Sequence, residues 1–193
     1  MTPDPFAGLT PPYSTIVADP PWPYVKGGPH NGSDGRSEIA RARGVRVPPY
    51  SMMSVGDIKA LRLGLLADAD SHLYLWTTNA HLRSAFDIVD AWGFRHSQTL
   101  TWCKTPRGIG PGGAFTSTTE FVLFCRHGSL APVQRLNSTW FQWPRAGHSV
   151  KPGAFFDLVE SVSPGPYVEL FARQPRLGWD AWGFGVETPE RVS

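Results

Sequence analysis

Ser14-Thr15-Ile16-Val17-Ala18-Asp19-Pro20-Pro21-Trp22 is the stretch from which the fold is read. Its first half, Ser14 to Ala18, holds an apolar, β-branched run that predicts a buried strand. A carboxylate, two ring-locked residues and a large aromatic then follow at the strand's open end, and together they form a stiff slot for a flat polar group. In open α/β sheets ligands sit outside the carboxyl ends of the strands, so Asp19 stands where a ligand is expected.

Outward from this stretch, strand and helix signals alternate. Residues 1–13 are Pro-rich and predict a loosely ordered lead-in. From Tyr24 to Pro49 there is no periodicity, five glycines, and the basic cluster Arg36, Arg41, Arg43 and Arg46. A loop this long is either functional or disordered, which leaves two readings: an arm that orders on nucleic acid, or a solvated insertion. Ser54 with Asp57 resembles a capping box, and Ile58, Leu61 and Leu65 predict a helix ending near Ala67. A strand is expected at His72 to Trp76, then a helix capped by Asn79, with Leu82, Phe86 and Val89 on one face and Gly93 at its stop. Gln98 to Cys103 predicts another strand, Thr105 to Gly113 a flexible loop, Glu120 to Cys125 a very apolar strand, and Thr139 to Trp143 a short one. Pro152 suits the first position of a helix that buries Phe155, Val159 and Val162, closed by Pro164-Gly165. Tyr167 to Phe171 predicts the last strand, and Trp179 to Gly185 an aromatic tail. The alternation argues for an α/β fold with a mainly parallel sheet, helices on both faces and chain reversals that permit an antiparallel edge. No repeat or internal boundary interrupts it, so residues 1–193 are expected to form a single domain.

The composition agrees and excludes several classes. At 193 residues and 21.2 kDa the chain suits one domain with a real core. Net charge is only +2, yet the pI near 8.7 rests on 14 Arg against 4 Lys, a bias toward forked recognition of phosphate and stacking on bases. Eight Trp, 19 Pro and 20 Gly point to an aromatic-lined cleft with ordered loops. Cys103 and Cys125 form no C-x-x-C pair and read as buried free thiols, and the histidines are scattered without ligand spacing, so no metal is expected. No apolar run approaches membrane-spanning length, and the N-terminus lacks a basic n-region and an apolar h-region, so a cytoplasmic protein without a membrane partner is expected.

The slot suits an exocyclic amine. The lone pair of such a nitrogen is delocalised into its ring, so an enzyme that alkylates it must point both N–H groups at acceptors and turn the lone pair outward. Asp19 supplies one acceptor and the Pro20 carbonyl the other, Trp22 can stack on the base, and Pro21 helps to hold the loop rigid. Lys151 directly precedes the Pro-started helix, so a cation and a helix N-terminus converge where an anion can bind.

Asp19-Pro20-Pro21-Trp22 and an ordered set of further pieces resemble the DPPW-type adenine-N6 methyltransferase family, which includes the catalytic subunit of the eukaryotic mRNA adenosine methyltransferase and small bacterial and phage enzymes. The further pieces are Pro49-Tyr50-Ser51-Met52-Met53-Ser54, Leu75-Trp76-Thr77-Thr78-Asn79, Trp92-Gly93-Phe94, Thr101-Trp102-Cys103-Lys104, Glu120, His148-Ser149-Val150-Lys151-Pro152 and Val168-Glu169-Leu170-Phe171-Ala172-Arg173. They span roughly residues 14 to 183. The resemblance implies a Rossmann-like methyltransferase fold with permuted motif order, and S-adenosylmethionine as cofactor. It implies that Asp19 neighbours the methionine part of the cofactor, with Lys151 near its carboxylate, and that Glu169, Phe171 and Arg173 meet its adenosine moiety. Many small relatives follow Gly178-Trp179-Asp180-Ala181-Trp182-Gly183 with an Asn suited to the cofactor hydroxyls, where this chain has Phe184-Gly185.

The implied activity is methyl transfer to adenine N6 in DNA or RNA. Nucleic acid is expected to meet Arg36, Arg41, Arg43, Arg46, Lys104 and His148, and target choice to come from the 24–49 and 105–117 loops, from a homodimer or from a partner chain. Two alternatives remain open at this level: a catalytically inactive nucleic-acid-binding relative, and a cytosine-N4 methyltransferase. C5 methylation is disfavoured, because it needs a nucleophilic thiol and neither cysteine follows a proline. Replacing Arg41, Arg43 and Arg46 together by Gln is expected to weaken nucleic-acid binding and flatten its salt dependence, which titration at several salt concentrations measures; an unchanged slope means a passive insertion.

Overall fold

In chain order the elements are β1 (Tyr13–Ala18), α1 (Val55–Ala60), β2 (Ala67–Thr77), α2 (Leu82–Ala91), β3 (Arg95–Thr105), β4 (Thr119–His127), β5 (Trp140–Pro144), α3 (Gly153–Val162), β6 (Tyr167–Leu170) and β7 (Trp179–Trp182). They belong to a computed structural model that describes residues 5–23, 52–105, 115, 117–144, 151–183 and 186. Arg36, Arg41, Arg43, Arg46, His148 and Phe184 lie outside the described residues.

The strands form one seven-stranded sheet in the order β5-β3-β4-β2-β1-β6-β7. β1 pairs in parallel with β2 and β6, β6 with β7, and β3 with β5, while β4 runs antiparallel to both β2 and β3. The expected reversal therefore exists, but inside the sheet rather than at its edge. β3 and β4 follow one another without an intervening described helix, and strands joined in that way are free to pair antiparallel.

Two cores result, one on each face. On one face Ile16, Ala18, Leu73, Leu75, Leu123 and Leu170 meet Ile58 of α1 and Ala85, Ile88 and Val89 of α2. On the other, Val17, Tyr74, Trp76, Trp102 and Val122 meet Phe155, Phe156 and Val159 of α3. The second core is aromatic. The Phe155 ring lies 4.7 Å from Trp76, 5.3 Å from Phe156 and 6.2 Å from Tyr74, centroid to centroid. Edge-on contacts of this kind add to the burial term and fix ring orientation.

Several expectations change. Ser54 does cap α1, accepting from the Asp57 N–H at 3.1 Å, but the helix stops at Ala60. A 3-10 turn at Leu63–Leu65 follows, with Leu63 and Leu66 buried and Leu65 exposed, so the Leu61/Leu65 spacing is not a helical face. The Leu66 carbonyl accepts from Tyr13 N–H at 2.8 Å, and this draws the segment into β2 five residues before the expected strand. Asn79 does not cap α2: a turn from Thr78 to His81 sets its start at Leu82. Pro152 stands at the N-cap rather than the first helical position. The lead-in is not loose where it is described, because Phe6 is buried edge-on to Trp182 at 5.1 Å and the Tyr13 hydroxyl donates to Asp180 Oδ2 at 2.6 Å. The aromatic tail is itself a strand, β7. Cys125 is buried as expected, whereas Cys103 is half-buried. Among the described residues no helix is long and apolar enough to cross a membrane.

Phe155→Ala is expected to cost about 3–5 kcal/mol in urea denaturation, because it empties the centre of the aromatic core, whereas Leu177→Ala at a fully exposed position should be close to neutral.

Candidate active site

β1 connects through α1 to β2 on one side, and β6 connects to β7 on the other. The chain thus departs in opposite directions from two adjacent parallel strands, and a crevice opens outside their carboxyl ends. Asp19 stands at the end of β1 and Phe171 at the end of β6, on the two lips of that crevice.

Alternation along the strands decides which groups share a face. Asp19 follows the parity of Val17, Glu169 pairs with Val17, and Glu120 pairs with Trp102, so all three carboxylates face the α3 side. Lys151, one residue before the helix cap, reaches over them. Its ammonium lies 2.9 Å from Asp19 Oδ2, 3.6 Å from Glu120 Oε2 and 4.3 Å from the centroid of the Trp76 ring. Glu120 also binds the Lys104 ammonium, which sits 5.4 Å from the Trp102 ring centroid. Following the strand order, the charged groups form a strip across the sheet edge that alternates in sign from Lys104 on β3 through Glu120 on β4 and Lys151 over β2 to Asp19 after β1, and ends on a second carboxylate, Glu169 on β6.

Burial alone would raise the Glu120 carboxyl, but the Lys151 and Lys104 ammoniums outweigh it and hold the group below the usual carboxylate range. Glu169 behaves in the opposite way. Burial, reinforced by the nearby Asp19 charge, pushes it up to about 7 against the pull of Lys151, Arg176 and Arg173. Beneath Lys151, the buried Trp76 indole N–H has no partner among the described residues.

The tetrad turns over the sheet edge between the two faces. Asp19 N–H reaches the Leu170 carbonyl at 3.4 Å, Trp22 N–H closes on the Pro20 carbonyl at 2.8 Å, and Met53 N–H holds the Pro21 carbonyl at 3.0 Å. Pro20 is buried, and its carbonyl keeps one lone pair beyond the turn it closes. Trp22 packs on the α1/α2 side, its indole N–H donating to the Trp76 carbonyl at 3.0 Å. One face of its ring stacks on His81 with centroids 5.1 Å apart and planes 13° from parallel, and His81 Nε2 donates to the Pro23 carbonyl at 2.8 Å. Backbone bonds and one histidine therefore fix the loop without using the Asp19 carboxylate.

Phe171 adopts φ 63°, a strained left-handed conformation for a non-glycine residue, and its ring meets Trp182 edge-on at 5.3 Å. A β-carbon on Gly183 would lie 2.2 Å from the Ala172 carbonyl oxygen, so a residue without a side chain is required beside this bend. Arg173 is exposed on the same loop and acts on Glu169 electrostatically.

Of the residues singled out in the sequence, Asp19, Lys151, Glu169 and Lys104 come together, and Pro20, Pro21, Trp22, Phe171 and Arg173 border the same edge. The arginines of the 24–49 stretch and His148 lie outside the described residues. Sequence reasoning gave no role to Glu120, Trp76 or His81. Glu120 and Trp76 stand in the motif pieces, but their partnership with Lys151 depends on a strand order that spacing does not reveal. Among the described residues no group of three or more His, Cys, Asp or Glu side chains could hold a metal ion.

Comparison with known proteins gives a consistent outcome. The family model described as MT-A70 matches residues 13–185. The chain is 28% identical over 183 residues to the type II methyltransferase M.MunI of a Mycoplasma species, covering 90% of this chain and 78% of that protein. It is 29% identical over 198 residues to the N6-methyladenosine RNA methyltransferase MTA1 of Cryphonectria parasitica, covering 93% of this chain and 53% of the other. It is also 26% identical over 196 residues to the Drosophila melanogaster N(6)-adenosine-methyltransferase MT-A70-like protein, of which it spans only 29%.

The raised Glu169 carboxyl makes stability depend on pH. Between its ordinary value and about 7 the folded chain binds more protons than the unfolded one, so stability falls as pH rises through that window. Glu169→Gln is expected to remove that fall and to stabilise the protein at pH 8 by roughly 1–3 kcal/mol in denaturant titrations. Equal pH slopes for both proteins would contradict the assignment.

Proposed function

The chain belongs to the MT-A70 family, and we propose from that premise that it methylates the exocyclic N6 amine of adenine in nucleic acid, using S-adenosylmethionine. The observation that carries the reading is the Asp19 carboxylate. One of its oxygens is held by Lys151, while among the described residues Oδ1 accepts no bond, and the Pro20 carbonyl and Trp22 follow directly in the same turn. In this reading Oδ1 and the Pro20 carbonyl receive the two N–H groups of the amine, Trp22 supports the base, and Asp19 takes up the proton that N6 sheds as the N–C bond forms. The base must leave a duplex to reach the slot, whereas a single strand presents it directly.

The residues present suit the cofactor. Carboxylates and an ammonium meet at one crevice, which matches a ligand bearing both signs of charge. S-adenosylmethionine supplies an electrophilic methyl group on a sulfonium. Lys151 would meet its carboxylate, Asp19 would neighbour its methionine part, and Glu169, Phe171 and Arg173 would border its adenosine moiety. Lys104 is engaged with Glu120, so its part is to hold that carboxylate, and the grip on phosphates falls to Arg36, Arg41, Arg43, Arg46 and His148.

DNA is the favoured substrate, because the relative matched over most of both lengths is a type II methyltransferase, while about half of the relative named for RNA is spanned. Incubation with tritiated-methyl cofactor and single- or double-stranded DNA and RNA is expected to label N6-methyladenine, most strongly in DNA. Asp19→Ala should lower transfer at least about 100-fold with the melting temperature retained. Robust transfer by that variant would overturn the assignment.

A further inference from the structure

At the far end of the same sheet face lies a second concavity of about 450 Å³ that shares no residue with the crevice. It opens between the middle of β2, the first half of β3, the second half of β4, the end of α3, and β5 with the segment that joins it to β4. Along β3, Leu100 in this cavity and Lys104 at the reactive edge are four residues apart, roughly 13 Å of strand. The aromatic layer of Trp76, Trp102 and Phe155 lies between them. The volume falls within the range of small-ligand sites.

Part of the wall is closed to a ligand by its own bonding. His72 Nε2 lies 3.1 Å from the Leu130 carbonyl, which can only accept, so that nitrogen carries the proton. His72 Nδ1 therefore accepts from the Ser163 hydroxyl at 2.8 Å, and Ser163 Oγ accepts from the Tyr74 hydroxyl at 2.7 Å. This chain is neutral and complete, and burial lowers the His72 pKa and keeps the imidazole uncharged.

Other lining groups remain open to a ligand. Arg126 gives one nitrogen to the Leu130 carbonyl at 2.6 Å, but its Nε is buried without a partner, and among the described residues no carboxylate pairs with it. Arg135 lines the rim, and among the described residues no Asp or Glu lines the cavity. Two forked cations without a counter-charge select an anion, and phosphate fits that fork. Phe124, Phe141 and Leu100 supply an apolar bed for a flat ring. The amides of Gln98 and Gln134 have no partner among the described residues, and each offers a donor and an acceptor, which match the edge of a heterocycle rather than a plain aromatic acid.

We infer that this cavity binds a nucleoside phosphate, with the base on the aromatic bed and the phosphate between Arg126 and Arg135. Its source is either a free mononucleotide or one nucleotide of a strand lying across this face. Thymidine 5′-monophosphate separates the cavity from the crevice, because thymine has no exocyclic amine for the Asp19 slot. Calorimetric titration of the full chain is expected to show binding of this nucleotide at sub-millimolar concentration, with thymidine at least tenfold weaker. Arg135→Glu, at an exposed position, and Leu158→Trp, which fills the cavity from α3 without adding charge, should each weaken binding at least tenfold. If a short oligothymidylate responds to both variants and the mononucleotide does not bind, the source is a strand. Equal affinity for nucleotide and nucleoside, or affinities indifferent to both variants, would overturn the inference. Methyl transfer is a separate readout, so its failure bears on the adenine-N6 reading and not on this site.

Discussion

The Lys151 ammonium, 2.9 Å from Asp19 and 3.6 Å from Glu120 above the Trp76 ring, is the cation that two carboxylates share at the carboxyl edge of the sheet. Without it, strand parity would bring Asp19, Glu120 and Glu169 to one face with Lys104 as the near cation. Desolvating like charges together costs several kcal/mol, and a shared cation offsets this only when its position is fixed. That position comes from packing. Phe155, three residues after the Pro152 cap, is buried against Trp76 at 4.7 Å and so fixes how far α3 stands above the sheet. A charge arrangement at the surface thus rests on an aromatic layer below it.

The same layer divides the sheet face by chemistry. Beyond the carboxyl ends of the strands the Lys151 ammonium stands among the Asp19, Glu120 and Glu169 carboxylates, a set that suits a ligand carrying both charges. At the opposite end of the strands the lining holds two arginines and two amides, and among the described residues no carboxylate. An enzyme that acts on one base of a polymer gains from holding a neighbouring nucleotide, since contacts remote from the reacting atom orient the target. The two ends of one face therefore describe a path along which a strand can lie.

Much of this was legible in the sequence, for identifiable reasons. The buried strands before Asp19 and around Leu73 and Leu123 are continuous apolar runs, which only a sheet covered on both faces requires. The tetrad declared itself because its residue types have a chemical reason to stand together. The misses have causes as well. Leu61 and Leu65 imitate a helical face, but Tyr13 captures the Leu66 carbonyl and pairing in the sheet overrides local propensity. The reversed β4 sits inside the sheet, and that placement decides that Glu120 faces Lys151. No spacing in the chain encodes which strands become neighbours, so the Glu120, Lys151 and Trp76 cluster was invisible until the strand order was known. The docking of Phe6 on Trp182 joins residues at opposite ends of the chain and is equally beyond local pattern.

Whether Lys151 compensates both carboxylates is measured directly by a double-mutant cycle between Lys151→Met and Glu120→Gln, read by urea denaturation at pH 8. Lys151→Met alone leaves Asp19 and Glu120 facing each other across the site, and is predicted to cost more than Glu120→Gln does. Adding Glu120→Gln to Lys151→Met should then recover part of the loss, with a coupling of about 1–3 kcal/mol. Strictly additive effects would contradict the shared-cation account and would leave Asp19 positioned by the Pro20–Trp22 turn alone.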